Sequence, residues 1–327
     1  MDTTQRAACI SVTAPISPAF ERMRRILFGP FDLEKWLVMG FCAFLAGLAR
    51  MGVPDLDVLF RKPQPPPFAP AQGMPPEFAQ QMANFTSLMA RAMPAATVAL
   101  LILWPLLKWL GSRGDFMLLD GVVHDRAAVT APWKAFKRPG NSLFVMRLLI
   151  GIAFLGIAVV MAGFSLAFVW RHGAGARAGG LGAAAAPAFA VVLGVMAFVV
   201  IAAYLLIESV LSDFIVPVMY RRGVSAKAAI GVLWNELLPG RDGKFILFYL
   251  MKIGLWILIV LAVAVPMVLT CCFCCLGLIP YISTVLFLPL FVFFRCYSLY
   301  FLEQFGPEWQ FFEVELQAAP PPAAAGP

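Results

Sequence analysis

Residues 253–294 read IGLWILIVLAVAVPMVLTCCFCCLGLIPYISTVLFLPLFVFF, 42 residues without one charged side chain. As a single helix this run would be about 63 Å long at ~1.5 Å per residue, twice the roughly 30 Å of hydrocarbon in a bilayer. It must fold back on itself, and CCFCCLGLIP at 271–280 offers the turn. The reading is two membrane helices, at about 245–270 and 279–301.

Four further spans follow from the same length criterion. Residues 148–170 and 184–207 supply the ~20 predominantly apolar residues a crossing needs. Residues 92–107 are uncharged, and Lys108 can snorkel, which extends that span to about 112. The weakest is 31–53, with Glu34, Lys35 and Arg50 near its ends. The expected fold is all-α: a six-helix transmembrane bundle over residues 31–308. A cytoplasmic segment at 1–30 precedes it and a disordered tail at 309–327, ending AAPPPAAAGP, follows.

Composition agrees. Hydrophobic residues make up 61% of the 327 and charged ones 13%, with a net charge of +7. Soluble domains carry roughly 45–50% and about 25%. A soluble enzyme, a disordered chain and a disulfide-stapled secreted domain are thereby excluded.

Lysine and arginine placement sets the orientation. Nineteen of the 25 flank one side of the spans and six the other. Both termini are therefore expected in the cytoplasm, in a multi-pass inner-membrane protein. Residues 1–30 lack an apolar signal-peptide core, so the first span is read as its own insertion signal.

The cytoplasmic segments repeat a grammar. A helix-cap residue (Ser17, Thr130, Ser225) opens a short amphipathic stretch, which ends at Gly29-Pro30, Pro139-Gly140 or Pro239-Gly240 and leads into a span. The third copy sets Ile230, Leu233, Trp234, Leu237 and Leu238 on one helical face. The second has Val129, Trp133 and Phe136, and the first Phe20, Met23 and Leu27. Asp115-Phe116 and Asp213-Phe214 also correspond between copies. The pattern predicts three interfacial helices in a three-fold hairpin repeat. Trp133, Trp234, Arg138, Arg221 and Arg222 are the expected membrane-interface anchors, since Trp/Leu faces with nearby cations lie in the headgroup plane. Packing of the same faces against the bundle is the competing expectation.

Chemistry is sparse. Cys271, Cys272, Cys274 and Cys275 contain two C-x-x-C spacings, open to three readings: small apolar residues in a tight hairpin, a structural disulfide, or a metal or redox site. His124 lies four after Asp120, beside Asp125, but no further ligand is apparent. Arg147, Glu208, Lys252 and Arg295 fall within two or three turns of the cytoplasmic edge, where snorkelling explains them. No Walker loop, zincin or nucleophile-elbow motif appears.

Residues 278–309 (LIPYISTVLFLPLFVFFRCYSLYFLEQFGPEW) resemble the C-terminal end of uncharacterised bacterial polytopic membrane proteins carrying a domain of unknown function. Pro280-Tyr281, Arg295, Tyr297-Ser298-Leu299 and the run Glu303 to Pro307 carry the likeness. At the level of pattern, residues 110–305 also resemble the membrane domain of glycerophosphodiester phosphodiesterases. That resemblance implies a helical bundle without catalytic residues.

The expected function is non-enzymatic and needs no cofactor or metal. The protein is read as a scaffold or accessory protein whose amphipathic helices contact membrane lipids, or another membrane or cytoplasmic protein, and not nucleic acid. The alternative is a transporter or permease for a lipid-like or small apolar solute.

Overall fold

A computed structural model describes residues 10–50, 76–177, 181–270 and 280–312. Its described residues are helical, with no strand among them. In chain order the helices are α1 (Ile16–Phe28), α2 (Leu33–Arg50), α3 (Pro76–His124), α4 (Thr130–Ala135), α5 (Lys137–Arg177) and α6 (Leu181–Val210). A π turn (Leu211–Ile215) leads into α7 (Val216–Arg222). Then come α8 (Ala226–Val232), a second π turn (Leu233–Leu237), α9 (Asp242–Thr270), α10 (Pro280–Leu286), α11 (Leu288–Glu303) and a 3-10 turn (Pro307–Trp309).

Three segments are long and apolar enough to cross a membrane: Lys137–Phe168, Ala188–Arg222 and Asp242–Leu261. Their outward side chains are the large apolar ones, among them Val160, Phe164, Phe198, Ile201, Ile246 and Leu258, all more than half exposed. Exposed apolar area of that extent marks contact with something other than water.

One break differs from expectation. Pro139 does not separate a surface helix from a span: the chain turns at Phe136, and α5 already begins at Lys137. A proline in the first helical turn forfeits no hydrogen bond, so it starts a helix more readily than it ends one. The last span is interrupted at Phe287 (φ −90°, ψ 11°), where Pro289 enters the first turn of α11.

The chain forms two compact units. The first takes the described residues of Met1–Ala49, Leu110–Met146 and Ile207–Pro327, the second those of Arg50–Trp109 and Arg147–Leu206. In the first, α1 packs along α11, burying Ala19, Met23, Ile26 and Leu27. Helices α2 and α3 approach at backbone distance: a Cβ added at Gly111 would lie 2.2 Å from the Ala49 nitrogen, and one at Gly114 would lie 2.5 Å from the Ala46 nitrogen. Phe214, Phe245, Phe248 and Phe301 form an aromatic core with centroids 4.6–6.2 Å apart. In the second unit, Gly151 lets the Trp104 ring close on α5, and Phe154 meets Tyr204 edge-on at 5.3 Å. Lys108 does not snorkel. It is fully buried and donates to the Tyr204 hydroxyl.

The apolar faces drawn on the surface helices are only partly buried. In α1, Met23 and Leu27 are buried, but Phe20 is 55% exposed. In α8 and its π turn the buried residues are Ala226, Ala229, Leu233 and Leu237, while Trp234 is 68% exposed. Hydrogen bonds running i→i+5 slow the advance of side chains around the axis. The apolar face drawn for an ordinary α-helix therefore does not hold there.

Candidate functional site

A polar network lies inside the first unit. Asp115 on α3, Ser212 and Asp213 on the first π turn, Lys252 on α9, and Arg295 and Ser298 on α11 converge there. Arg295 donates through Nη2 to Asp115 Oδ1 at 3.0 Å and to the Asp115 carbonyl at 3.1 Å, and through Nη1 to the Ser212 carbonyl. Ser212 Oγ donates to Asp115 Oδ2 at 3.3 Å. Lys252 pairs with Asp213 Oδ2. The Ser298 hydroxyl reaches Asp213 Oδ1 (3.1 Å) and its own turn's Phe294 carbonyl (2.9 Å). Each of the two carboxylates thus faces a cation, Asp115 the Arg295 guanidinium and Asp213 the Lys252 ammonium.

Local sequence explains why the π turn can serve it. Pro217 has no N–H to give back to the preceding turn. In an i→i+5 pattern the acceptor it would have served is the Ser212 carbonyl. Arg295 supplies that missing donor. Asp115 and Asp213, the acidic residues of the two corresponding Asp-Phe pairs, thus meet in one network.

Burial corrects the sequence reading of the other ionisable residues. Arg147, Glu208 and Arg295 are at most 5% exposed, so snorkelling does not account for them. Such groups are tolerated inside a protein when paired and hydrogen-bonded.

A second cluster closes the end of α3. Asp120 accepts two hydrogen bonds from Arg126, at 2.8 and 3.1 Å, and one from the Tyr220 hydroxyl at 3.1 Å. His124 Nδ1 lies 3.2 Å from Asp120 Oδ1. The carboxylate that would have begun a metal site is therefore occupied by an arginine and a tyrosine. Among the described residues no group of three His, Cys, Asp or Glu side chains could hold a metal.

A third cluster takes up the expected anchors of α7. Arg222 bonds both Glu236 oxygens (2.9 and 2.6 Å) and Glu308 (3.2 Å), with its guanidinium 4.8 Å from the Trp309 ring. Arg221 donates to the Glu308 carbonyl. Trp133 is half-buried on α4 with the Arg113 guanidinium 4.7 Å from its ring. Arg138 is exposed at the start of α5. Cys271, Cys272, Cys274 and Cys275 lie outside the described residues.

The Arg222 guanidinium holds the Glu236 carboxyl below the usual carboxylate range. A depressed folded-state pKa adds stability above the ordinary value of about 4.5, lost as pH falls through the lowered value. The expected result is a thermal midpoint that falls in acid more steeply for the wild type than for Glu236→Gln. Parallel pH profiles for the two proteins would refute it. The pair is largely exposed, so the difference is small.

Tyr297, Glu303 and Gln304, which the sequence marked only through the family likeness, tie residues 11–12 and 311–312 to α11. Glu303 Oε1 accepts the Phe311 and Phe312 amides at 2.8 and 3.0 Å. Gln304 exchanges two hydrogen bonds with the Ser11 backbone, and the Tyr297 hydroxyl donates to the Val12 carbonyl at 3.0 Å. The EQFGP run is thus a clasp. Its signal was present in the sequence as polar residues at the foot of an apolar helix.

A family of unknown function, DUF7544, matches residues 10–280, and the chain belongs to it. The match ends before α11, which carries Arg295, Ser298 and the clasp. No curated protein and no solved structure matches the chain.

Proposed function

We propose that this protein is a non-enzymatic scaffold of the inner membrane. In this reading six spans cross the bilayer at about 31–53, 92–112, 148–170, 184–207, 245–270 and 279–301, with both termini and three hairpin-linked surface helices on the cytoplasmic side. The tail at 309–327 extends from it. The observation that carries this reading is the pair of inward-facing salt bridges Asp115–Arg295 and Asp213–Lys252. They tie together helical segments far apart in the chain, which is how a framework uses buried charge. The exposed aromatic and cationic residues remain for lipids or a partner protein.

A transporter for a lipid-like or small apolar solute is the second reading. The break at Phe287 and the π turn at Leu211–Ile215 favour it, because discontinuous helices line many transport paths. Reconstitution separates the two. A scaffold is expected to leave the transbilayer movement of fluorescent lipid, and the efflux of small apolar solutes, at the rate of protein-free vesicles. Flux that rises with protein content would overturn the scaffold in favour of the transporter.

A further inference from the structure

The structure distinguishes three cationic clusters that look alike in sequence. Around α1, Arg22 is turned inward to the Val123 carbonyl and the Phe312 ring. The exposed Arg24 and Arg25 are flanked in sequence by the exposed acids Glu21, Asp32 and Glu34. Around α7, Arg222 is neutralised by Glu236 and Glu308. The third cluster, Lys134, Lys137 and Arg138, is different. All three side chains are exposed, and none forms an ion pair among the described residues. The nearest carboxylates in sequence, Asp120 and Asp125, are bound to Arg126 and Lys35.

The same surface continues as an apolar stripe. On α5, Arg138 and Asn141 are exposed, followed by Val145 (52%), Leu149 (60%) and Ile152 (52%). These positions step by three or four residues, so they lie along one helical face. Arg138 and Val145 are about 10 Å apart along the axis, roughly the depth from a lipid phosphate to its acyl chains. The segment Lys137–Phe168 is one of those long and apolar enough to cross a membrane. Three unpaired cations at its foot and an apolar strip above them match one ligand, an amphiphile with an anionic head.

We propose that Lys134, Lys137 and Arg138 form a docking surface for the phosphate headgroup of anionic phospholipid, whose acyl chains begin at Val145. The inference rests on the membrane reading above and commits the lipid contact to one of the three clusters. Trp133, held by Arg113, fixes the short helix that carries Lys134. Each cation near an anionic surface contributes roughly a five-fold gain in affinity, so the three together give on the order of 100-fold, less at high salt.

The test uses full-length protein in neutral detergent, with retention of phosphatidylglycerol and phosphatidylcholine counted by native mass spectrometry. The wild type is expected to retain phosphatidylglycerol in preference. The K134Q/K137Q/R138Q variant should lose that preference by a factor approaching 100 while phosphatidylcholine retention is unchanged. K137Q alone, which changes one exposed side chain, should lose about five-fold and serves if the triple variant fails to fold. Undiminished preference in both variants, or a loss equalled by R24Q/R25Q, overturns the proposal. Inorganic phosphate displacing the lipid at equal concentration would also overturn it, in favour of a free-anion site. A copurifying acidic protein that the triple variant loses, with lipid retention intact, would assign the surface to that partner instead. The flux measurement bears on the scaffold and is independent of these outcomes.

Discussion

Arg295→Met is expected to destabilise the protein by about 3–5 kcal/mol, the cost of leaving one partner of a buried ion pair behind. The Arg295 and Asp115 side chains are 4% and 1% exposed. Removing the guanidinium takes the cation from the Asp115 carboxylate and also deprives the Ser212 carbonyl of the donor that Pro217 cannot supply. Losing a buried hydrogen bond of this kind adds its own penalty, about 1–3 kcal/mol. The double variant Asp115→Leu/Arg295→Met should recover a large part of the loss, since exchanging a whole buried pair for apolar residues is often neutral. Unfolding in mixed micelles, followed by circular dichroism, measures both. A double variant no more stable than the single one would show that the pair is not an energetic unit.

The second large effect is expected at Gly111 and Gly114. Alanine at either position puts its Cβ within 2.2–2.5 Å of backbone atoms of Ala49 or Ala46. Backbone cannot swing aside as a side chain does, so α2 and α3 must separate along their contact. Overpacking typically costs ~1–3 kcal/mol and sometimes more, and these contacts belong at the upper end. The helix-propensity gain of alanine over glycine, about 1 kcal/mol, does not offset it. Gly156→Ala and Gly163→Ala are the controls, because nothing lies within 4 Å of their added Cβ. They should leave the thermal midpoint unchanged or raise it slightly. If Gly111→Ala behaved like these controls, the close approach of α2 and α3 would be wrong.

Particular residues show what could be read in advance. The long uncharged runs specified helices because a chain of apolar side chains in lipid can satisfy its backbone only internally. The segments Lys137–Phe168, Ala188–Arg222 and Asp242–Leu261 follow from that alone. Asp115-Phe116 and Asp213-Phe214 were visible as a corresponding pair. Nothing in their spacing indicated that both acids would face α11, because Arg295 is 180 residues from Asp115. The rotation of Trp234 was equally hidden. A π turn shifts a helical face without any change in which residues are apolar.

Amino-acid order alone determined the helical class, the apolar segments long enough to cross a bilayer and the uneven distribution of positive charge. Those properties depend on side-chain chemistry summed over neighbours in the chain. Tertiary structure decided which charges are spent and which are free. Arg222 and Lys134 lie near helix ends and Arg295 in the middle of α11, yet it is their neighbours in space that separate the three. Glu236 and Glu308 neutralise Arg222, Asp115 holds Arg295, and no carboxylate among the described residues pairs with Lys134. Electrostatic energy depends on distance through space rather than separation along the chain, which is why the fold had to be known first.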